Sequence, residues 1–578
     1  MYGLLFVLLF FTAAVSAASF PDRFTTSSSV LRHKSQEYFE LNHPLPSDLL
    51  PPSCSRRVLT HSFANTINGP PYSAPYSPPP PSDSDCSAPW SHVALEFRAT
   101  CKGEQYDRIA GIWLGGVELL RTSTAEPTEK GIFWKLRKDI TKYSSLLTRS
   151  DLTLTMMLEN VVDRVFTGVY HVDVLFLFYK QTVAVIEPRI SPIIPDHKLG
   201  IAPEEPADLI VPISDDGDRG FWFRIESESD SPSRQIRLPR NTRRVVLELY
   251  VSFHGDDEFW YSNPPNLYIS TNNLTTGRGN GAYREVFVTV DGELVGSEVP
   301  FPVVFTGGIN PLFWEPVVAI GAFNLPSYEF ELTPFLGKLL DKKAHSFGIG
   351  VSDAISYWLV NANLHIWLDH KAKTVHAKSS LLPSPAIQLK RNAEFKLLDG
   401  SFKIKAQRRT GFVGWVKSSS GNYTTMFSQK YKFSSSISFA QNGTYKLVQQ
   451  NVKADKEVRV VGENGVEVLR TRSKRRYPIQ VITATLPGRK KDTYVLVTNV
   501  THSMKEKSLR GGYLSRVNNF QDSKGWMEVR DHSVLSGTAD TQQSFGYRGD
   551  YGCYLRLIDA VDGSLIRDNS SFHCLSPA

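Results

Sequence analysis

The chain has 578 residues, of which 41% are hydrophobic, and a formal net charge of +7. This length suggests two to four domains with large cores, and after residue 17 no apolar run approaches the roughly 18 residues of a membrane-spanning helix, which excludes a membrane-embedded class. The charge is uneven, because residues from Lys371 onward contain 34 Lys and Arg against 16 Asp and Glu, whereas the preceding part contains 31 against 42. A solvated basic face is the default interpretation, and the alternatives are attraction between the two parts or docking on an anionic surface such as a polyanionic matrix.

The chain begins with a segment typical of a secretory signal peptide. Residues 3–17, GLLFVLLFFTAAVSA, are apolar and end in small residues that suit cleavage near Ala18. A polar arm at 18–53 follows. We therefore expect a secreted or vacuolar protein, for which nucleic acid is not an expected partner. Five sequons for N-glycosylation fit that compartment, at Asn273, Asn422, Asn442, Asn499 and Asn569.

Five cysteines in an oxidising compartment predict disulfides. The simplest pairings join Cys86 to Cys101 and Cys553 to Cys574. Cys54 is then left free, intermolecular or in a different pairing. No cysteine or histidine cluster has the spacing of a zinc site, so no metal is predicted.

Beyond a proline-rich stretch at 69–85, which is typical of a linker or a long loop, most of the chain predicts β-strands. Short segments alternate apolar and polar residues, and Asp-Gly or Asn-Gly pairs between them are typical of hairpin turns. Long amphipathic helices are nearly absent, and 328–343 is the best helical candidate. Many short strands separated by turns indicate an all-β protein of sandwiches or barrels. The clearest strands are SHVALEFRAT, DLTLTMML, YHVDVLFLFYK, RRVVLELYVSF, REVFVTVDGELVG and ANLHIWLD.

Breaks in this pattern predict three β-rich units, at 54–185, 186–370 and 371–578. The last is the basic part of the chain and contains the run RSKRR at 472–476. We interpret this run as a solvated loop. The alternative is a processing site, which would give a two-chain form.

The candidates for chemistry are carboxylates, because the chain has no G-x-S-x-G, H-E-x-x-H or phosphate-loop motif. Asp107 opens a predicted strand at 106–115, Glu159 closes one at 152–159, and Glu258 follows one within an acidic and aromatic loop. Paired carboxylates can carry out acid–base catalysis, and aromatic rings such as that of Trp260 can stack on sugars. The alternatives are solvated strand ends for the acids and core packing for the tryptophan.

The order of several motifs resembles two related enzyme families. YDRIAGIWL, KDITKYSSLL, DLTLTMMLENVV and VYHVDVLFLFY, followed by VSFHGDDEFWY, resemble motifs of the peptide:N-glycosidase F family. Longer segments resemble the plant peptide-N4-(N-acetyl-β-glucosaminyl)asparagine amidase A family more closely. These are APWSHVALEFRATCKGEQYDRIAGIWLGGVELLRTSTAEPT and NPLFWEPVVAIGAFNLPSYEFELTPFLGKLL.

The resemblance implies two jelly-roll sandwiches packed side by side, with an active site in the cleft between them. It implies hydrolysis of the β-aspartylglucosaminyl amide of an N-glycopeptide or denatured glycoprotein, without a cofactor. The glycan leaves as a glycosylamine and asparagine becomes aspartate. By motif, Asp107 is the principal catalytic residue, with Glu258 and Glu159 as further catalytic acids. Implied substrate contacts are Arg108, His254, Trp260 and Trp314.

Departures from the bacterial pattern concern the sugar contacts. Val161 and Phe259 stand where that family has tryptophans, and an arginine before Trp314 is missing. The rival functional classes are a glycan-binding lectin without turnover, a glycoside hydrolase, which also uses two carboxylates, and a structural wall protein.

Overall fold

The computed structural model describes residues 25–26, 35–180, 205–380, 386–550 and 552–573. The predicted signal peptide and Cys574 lie outside the described residues. The all-β prediction is confirmed, because the helices in this part of the chain are all short. None of these helices has the length and apolar character needed to cross a membrane. The α-helices are α1 (Pro46–Leu49), α2 (Ser144–Leu147), α3 (Asn266–Thr271) and α4 (Leu336–Leu339), and the 3-10 helices are Thr141–Tyr143, Gly255–Asp257, Trp260–Ser262, Pro311–Trp314 and Thr333–Phe335.

The N-terminal strands are β1 (Thr25–Thr26) and β2 (Gln36–Tyr38), and eight strands after them form the first jelly roll. One sheet has the order β3-β10-β5-β8 and the other the order β4-β9-β6-β7. Counted within the roll, these orders are 1-8-3-6 and 2-7-4-5, the two interleaved four-stranded sheets of a jelly roll. Strand β2 extends the first sheet by pairing parallel with β8. The eight strands are β3 (Cys54–Phe63), β4 (Tyr72–Pro75), β5 (His92–Cys101), β6 (Ile109–Leu114), β7 (Val117–Ser123), β8 (Ile132–Asp139), β9 (Thr153–Leu158) and β10 (Tyr170–Tyr179).

The second jelly roll repeats the same strand order. Its sheets are β11-β19-β14-β17 and β13-β18-β15-β16, again 1-8-3-6 and 2-7-4-5 when β12, which pairs with β19, is left out of the count. The strands are β11 (Leu209–Ile213), β12 (Phe223–Ile225), β13 (Ser233–Ile236), β14 (Thr242–Phe253), β15 (Glu285–Val290), β16 (Glu293–Glu298), β17 (Ser327–Glu331), β18 (His345–Ser352) and β19 (Trp358–Leu368).

Buried polar contacts join the two rolls. Glu118 and Arg121 on β7 form an ion pair at 2.7 Å, and neither side chain is exposed. Arg121 Nη1 donates to the Leu359 carbonyl oxygen at 2.5 Å, and Asn361 Nδ2 donates to Glu118 Oε2 at 2.8 Å. A buried ion pair needs such additional hydrogen bonds to offset its desolvation. These contacts fix the position of each roll relative to the other.

A twelve-stranded C-terminal sheet covers the second roll. Its order is β20-β22 through β30, with β21 pairing with β22 and β1 with β28. Burial alternates along central strands such as β22 and β23, because one face is covered and the other is open to water. The strands are β20 (His376–Ser380), β21 (Gln388–Lys396), β22 (Asp399–Ser418), β23 (Gly421–Ala440), β24 (Tyr445–Gly462), β25 (Glu467–Pro487), β26 (Tyr494–Arg510), β27 (Tyr513–Arg530), β28 (Ser533–Gly549), β29 (Gly552–Val561) and β30 (Ser564–Ser571).

The covered face of this sheet makes both polar and apolar contacts with the second roll. Tyr431 and Tyr283 hydroxyls lie 2.8 Å apart, and Arg408 Nε donates to Glu285 Oε1 at 2.7 Å. The ring of His502 stacks on Phe301 with a centroid distance of 4.6 Å. The C-terminal sheet therefore packs as a cover against the second roll.

One local prediction is wrong, and another is correct only in part. The run 472–476 lies inside β25 and pairs with both β24 and β26, so it is not a loop. Successive side chains of this run face opposite sides of the sheet. The apolar–polar alternation that usually indicates a strand is absent because most of these residues are charged. The helical candidate 328–343 is divided between β17 and the short helices that follow it.

The predicted pairing of Cys86 with Cys101 is also wrong. Cys86 is bonded to Cys54, with their Cα atoms 5.1 Å apart. Strand β10 lies between β3 and β5. Its residue Phe178 is opposite Cys54 on β3 and opposite Val93 on β5. Cys101 is eight residues further along β5, about 26 Å away at 3.3 Å per residue. Cys101 is a buried free thiol, and burial raises its pKa to about 12. Cys553 is in a disulfide, and its predicted partner Cys574 is outside the described residues.

Candidate active site

Asp107 and Glu258 occupy equivalent loops of the two jelly rolls. Asp107 lies between the third and fourth strands of the first roll, and Glu258 lies between the third and fourth strands of the second. Both side chains are almost fully buried, with residue exposures of 2% and 3%. Loops carry functional side chains while strands hold them rigidly. The repeated strand order therefore gives each roll one buried acid at the same topological position.

The segment 305–310, between β16 and β17, contacts both loops. A Cβ atom placed on Gly307 would lie 2.7 Å from Asp107 Oδ1, and one placed on Gly308 would lie 3.1 Å from the ring of Phe259. Phe259 directly follows Glu258 in the chain. Consecutive glycines thus bring this backbone against the Asp107 side chain on one side and the Glu258 loop on the other.

Two hydrogen bonds hold this glycine segment in place. Thr306 Oγ1 donates to the Thr124 carbonyl oxygen of the first roll at 2.7 Å. Trp314 Nε1 donates to the Gly308 carbonyl oxygen at 2.9 Å. The C-terminal sheet supports the same region, since Thr541 Oγ1 donates to the Phe313 carbonyl oxygen at 2.9 Å.

The Asp107 carboxylate has an unusual environment. Its Oδ1 atom is buried and has no hydrogen-bond partner in the part of the chain that the structure describes. Buried polar atoms are nearly always hydrogen-bonded, so an exception marks a strained or functional position. Next to it, Arg108 donates from Nη2 to Gln105 Oε1 at 2.6 Å, and its backbone N–H donates to Thr124 Oγ1 at 2.8 Å. The acid is therefore held in a fixed place with an oxygen available to a substrate or water.

Glu126 is a site residue that the sequence reasoning missed. A Cβ atom on Gly307 would lie 2.5 Å from Glu126 Oε1, so this oxygen and Asp107 Oδ1 flank the same point. Glu126 is in the loop between the fifth and sixth strands of the first roll, just as Gly307 is in that loop of the second. Strand pairing is the signal that could have identified Glu126. Ile109 at the start of β6 lies opposite Ser123 at the end of β7, so Asp107 before β6 and Glu126 after β7 are at the same end of the sheet.

Two further titratable groups lie behind Glu126. Tyr38 of the N-terminal arm is fully buried, and burial followed by the Glu315 and Glu126 charges raises the pKa of Tyr38 well above 10. Burial raises the pKa of Glu315 to about 8. The arm therefore contributes to the surroundings of the site, which no feature of its sequence predicted.

The Glu258 loop is fixed by the preceding residue. Asp257 accepts hydrogen bonds from Arg284 Nη2 at 2.6 Å and from Trp358 Nε1 at 2.6 Å, all within the core. Lys446 from β24 donates to the Ser262 carbonyl oxygen at 3.1 Å at the far end of the loop. Burial, and then the charge of Glu258, raise the pKa of Tyr261 well above 10. The acid thus sits in a rigid loop of acidic and aromatic residues.

Comparison with known proteins places this arrangement in a family. The sequence profile described as peptide N-acetyl-beta-D-glucosaminyl asparaginase amidase A matches residues 42–382, which is more than half of the chain. The chain belongs to this amidase A family. The matched range includes Asp107, Glu126, Glu258 and Gly307, and it ends at the beginning of the C-terminal sheet.

A relative in the same family is similar along nearly the whole length. It is the peptide-N4-(N-acetyl-beta-glucosaminyl)asparagine amidase A of Prunus dulcis, 41% identical over 543 residues, which cover 93% of this chain and 93% of that protein. Among solved structures, PNGase F, titled a glycosylasparaginase from Flavobacterium meningosepticum, is 12% identical with a TM-score of 0.35, covering 55% of this chain and 96% of its own. A structure of PNGF-II is 10% identical with a TM-score of 0.31, covering 48% and 58%.

The other predicted amidase residues are not all at the same depth. Glu159 follows β9, whose Leu158 pairs with Ala110 of β6, so it lies at the same end of the sheet as Asp107. It is partly exposed, and its Oε1 accepts a hydrogen bond from the Asn68 N–H at 3.3 Å. His254 is buried between the rings of Phe305 and Tyr357, at centroid distances of 5.6 and 5.2 Å. Glu159 therefore lies at the rim, and His254 supports the glycine segment.

Neither predicted sugar-stacking tryptophan presents a ring face to solvent. Trp260 is 0% exposed and packs edge-on against Phe253 at 6.2 Å. Trp314 is 1% exposed and binds the Gly308 carbonyl oxygen. These indoles therefore lie behind the loops, and stacking of Trp260 on a sugar stays a prediction.

The predicted sequons can also be located, and so can the potential metal ligands. Asn273, Asn442 and Asn569 are exposed, and Asn499 is partly buried on β26. Asn422 is partly buried and donates to Glu463 Oε2 at 2.8 Å. Within the described ranges, one group of three potential metal ligands occurs, at Cys54, Asp83 and Cys86, and the disulfide uses both of its sulfur atoms.

Proposed function

We propose that the protein hydrolyses the β-aspartylglucosaminyl amide of N-glycosylated peptides. Asparagine becomes aspartate, and the glycan leaves as a glycosylamine, which then loses ammonia without the enzyme. Membership of the amidase A family and the name of the Prunus dulcis relative support this reaction. The observation that carries it is the convergence of the Asp107 side chain and the Glu258 loop on one glycine segment between the two rolls.

Asp107 is proposed to activate the attacking water. Its buried Oδ1 has an unused acceptor position, which suits a water molecule that must lose a proton as it attacks the amide carbon. Hydroxide adds to the carbonyl carbon, and Asp107 takes the proton. Arg108, next in the chain, is proposed to contact the substrate.

Glu258 is proposed to supply a proton to the departing nitrogen. Its side chain is almost fully buried, and the aromatic residues Phe259 and Trp260 follow it directly in the loop. The carbon–nitrogen bond breaks as the nitrogen accepts this proton, and the proton taken by Asp107 is returned through solvent. The alternative assignment exchanges the two roles. In either case the reaction proceeds without a metal or organic cofactor.

The rim of the site is proposed to bind the sugars. Glu159 is partly exposed and can accept hydrogen bonds from sugar hydroxyls. His254, Trp260 and Trp314 are proposed to act by holding the loops rather than by touching the substrate, because all three are buried.

A glycopeptide assay tests the proposal. Purified protein is incubated with a peptide carrying one N-glycan in ¹⁸O water, and the products are examined by mass spectrometry. We expect free glycan and a peptide with aspartate that carries one ¹⁸O atom. Asp107→Asn and Glu258→Gln are each expected to lower turnover by about 10²–10⁴-fold, whereas the exposed controls Asp85→Asn and Glu129→Gln leave it unchanged.

Three outcomes would contradict the proposal. A peptide that keeps a sugar residue indicates a glycoside hydrolase, and tight binding without product indicates a lectin. Wild-type turnover in both Asp107→Asn and Glu258→Gln, with unchanged circular dichroism, excludes these two residues from catalysis.

We further propose that the chain follows the secretory pathway to the cell exterior or vacuole. The apolar segment at 3–17 and the exposed sequons at Asn273, Asn442 and Asn569 support this route. N-terminal sequencing of the mature protein is expected to start near Ala18. A two-chain form stays a prediction, and cleavage at 472–476 would require β25 to separate from both neighbouring strands. The mass of the mature protein under reducing conditions distinguishes one chain from two.

A further inference from the structure

The outward face of the C-terminal sheet carries a dense set of cations. On β25, the Arg475 guanidinium lies 5.8 Å from the Tyr328 ring of the second roll, so this side chain faces the covered side. Its neighbours Lys474 and Arg476 therefore face outward, since successive side chains on a strand alternate. Both are exposed. Residues that are directly opposite one another on adjacent strands face the same side of the sheet. The outward residues of the neighbouring strands can therefore be identified from their pairing with Lys474 and Arg476.

The register aligns these cations in two rows across the strands. In each row the neighbouring residues are directly opposite one another on adjacent strands. The rows are two residues apart on β25 and β26, so they lie side by side on one face. We call them the basic rows: the first is Lys432, Lys453, Arg476 and Lys505, and the second is Lys474, Lys507, Arg516 and Arg548.

These positions oppose folding rather than assist it. Like charges directly opposite on adjacent strands, about 4.8 Å apart, destabilise a sheet. Other cations of the same sheet are paired with acids, such as Arg472 with Asp455 and Arg556 with Asp568. In the part of the chain that the structure describes, no carboxylate lies within ion-pair distance of the eight side chains of the basic rows, although Asp455 on β24 is directly opposite Lys474. A repeated arrangement that lowers stability suggests a function for the face.

The first row opens into a hollow on the same face. This cavity of about 710 Å³ lies over β21 to β24 and contains Lys432 and Lys453 at its edge. Two more lysines in it, Lys390 and Lys405, are opposite each other on β21 and β22. The cationic surface is thus a concave track across the strands, continuous with the first row.

We propose that the basic rows and the lysine hollow bind a linear anionic polysaccharide. A chain of regularly spaced acidic groups complements a line of cations at strand spacing, and a narrow hollow admits a polymer strand but not a bilayer surface. Single-stranded nucleic acid is less favoured, because the proposed secretory route separates the protein from it. This binding is separate from hydrolysis and would hold the enzyme on an acidic matrix.

Binding to polygalacturonate tests the proposal directly. The face variant Lys453→Gln/Arg476→Gln/Lys505→Gln/Lys507→Gln is compared with a control variant, Lys102→Gln/Lys135→Gln/Lys343→Gln/Lys373→Gln, whose four exposed lysines are on other surfaces. Wild type and control are expected to bind the polymer, with affinity that falls steeply as salt rises because counterions are released. The face variant is expected to bind at least about tenfold more weakly, with a shallower salt dependence.

Several results would overturn the proposal. These are equal binding by the face and control variants, equal binding of neutral dextran, or binding of phosphatidylserine vesicles or DNA without binding of polygalacturonate. Both variants are expected to keep wild-type glycopeptide hydrolysis, so loss of polymer binding is distinguishable from failure of the proposed reaction. Lys505→Gln alone should weaken polymer binding in the same direction, which keeps the test informative if the fourfold variant does not fold.

Discussion

In the first jelly roll, the loops after the third and fifth strands carry the carboxylates Asp107 and Glu126. In the second roll, which has the same strand order, the same two loops carry Glu258 and the glycines at 307 and 308. The first roll thus contributes an acid from each of the two loops. The second roll contributes one acid, Glu258, and a glycine backbone without side chains. The repeated architecture sets where the loops are, and the difference in their side chains makes a single asymmetric site from two similar halves.

Adding one methyl group at Gly307 is expected to have the largest effect on this asymmetry. In Gly307→Ala the new Cβ would lie 2.7 Å from Asp107 Oδ1 and 2.5 Å from Glu126 Oε1, so the loop or the acids must move. A displacement of about 1 Å can lower turnover about 100-fold. Glycopeptide hydrolysis measures this change.

The matched control is Gly411→Ala on the C-terminal sheet, where the new Cβ would meet only the Phe427 carbonyl oxygen at 3.7 Å. It is expected to keep wild-type turnover. Full activity in Gly307→Ala would show that the glycine segment does not determine the position of Asp107.

Neutralising the second acid of the first roll is expected to have a smaller effect. Glu126→Gln keeps the shape of the side chain but removes a charge next to Asp107, so we expect about tenfold lower kcat as a positioning and electrostatic effect. Glu129→Gln, three residues along the same loop and exposed, is the control. If Glu126→Gln and Glu129→Gln have the same kcat as wild type, the site depends on Asp107 and Glu258 without Glu126.

The smallest expected effect concerns stability and pH. Burial raises the pKa of Glu315 to about 8 from 4.5, so its protonated form is favoured in the folded state. This contribution is complete below about pH 4.5 and is lost as the pH rises towards 8. The loss of this contribution decreases the free energy of unfolding by at most about 1.4 kcal/mol per pH unit. Urea unfolding at pH 5 and pH 8 should show a smaller difference for Glu315→Gln than for wild type. An equal difference in both proteins would exclude Glu315 as its source.

The sequence predicted the strands of the sandwiches well, because a half-buried strand repeats every two residues. In DLTLTMML, for example, Leu154, Met156 and Leu158 all enter the core. The same two-residue period did not identify the strand at 472–476, because charged side chains occupy both of its faces. Cysteine spacing did not predict the Cys54–Cys86 disulfide. The strand at residues 170–179 lies between the strands of Cys54 and Cys101, and its register places these two cysteines at opposite ends of the sheet.

The site was predicted in part. The resemblance of motifs pointed to Asp107 and Glu258, and the structure places both in loops that contact one segment. Glu126 and Gly307 have no distinctive local pattern, since their importance arises from a contact between residues about 180 positions apart. The burial of Trp260 and Trp314 was not predicted either, because a sequence does not reveal whether an aromatic ring faces a cleft or the core.

The central claim is that one substrate amide meets acids from both rolls. A crystal structure of Asp107→Asn with an uncleaved glycopeptide tests it most directly. We expect the amide carbon to lie within reach of residue 107 through one water, and the amide nitrogen to face the Glu258 carboxyl at about 3 Å. A glycopeptide bound elsewhere, or contacting the loop of one roll while the other acid faces away, would contradict the account.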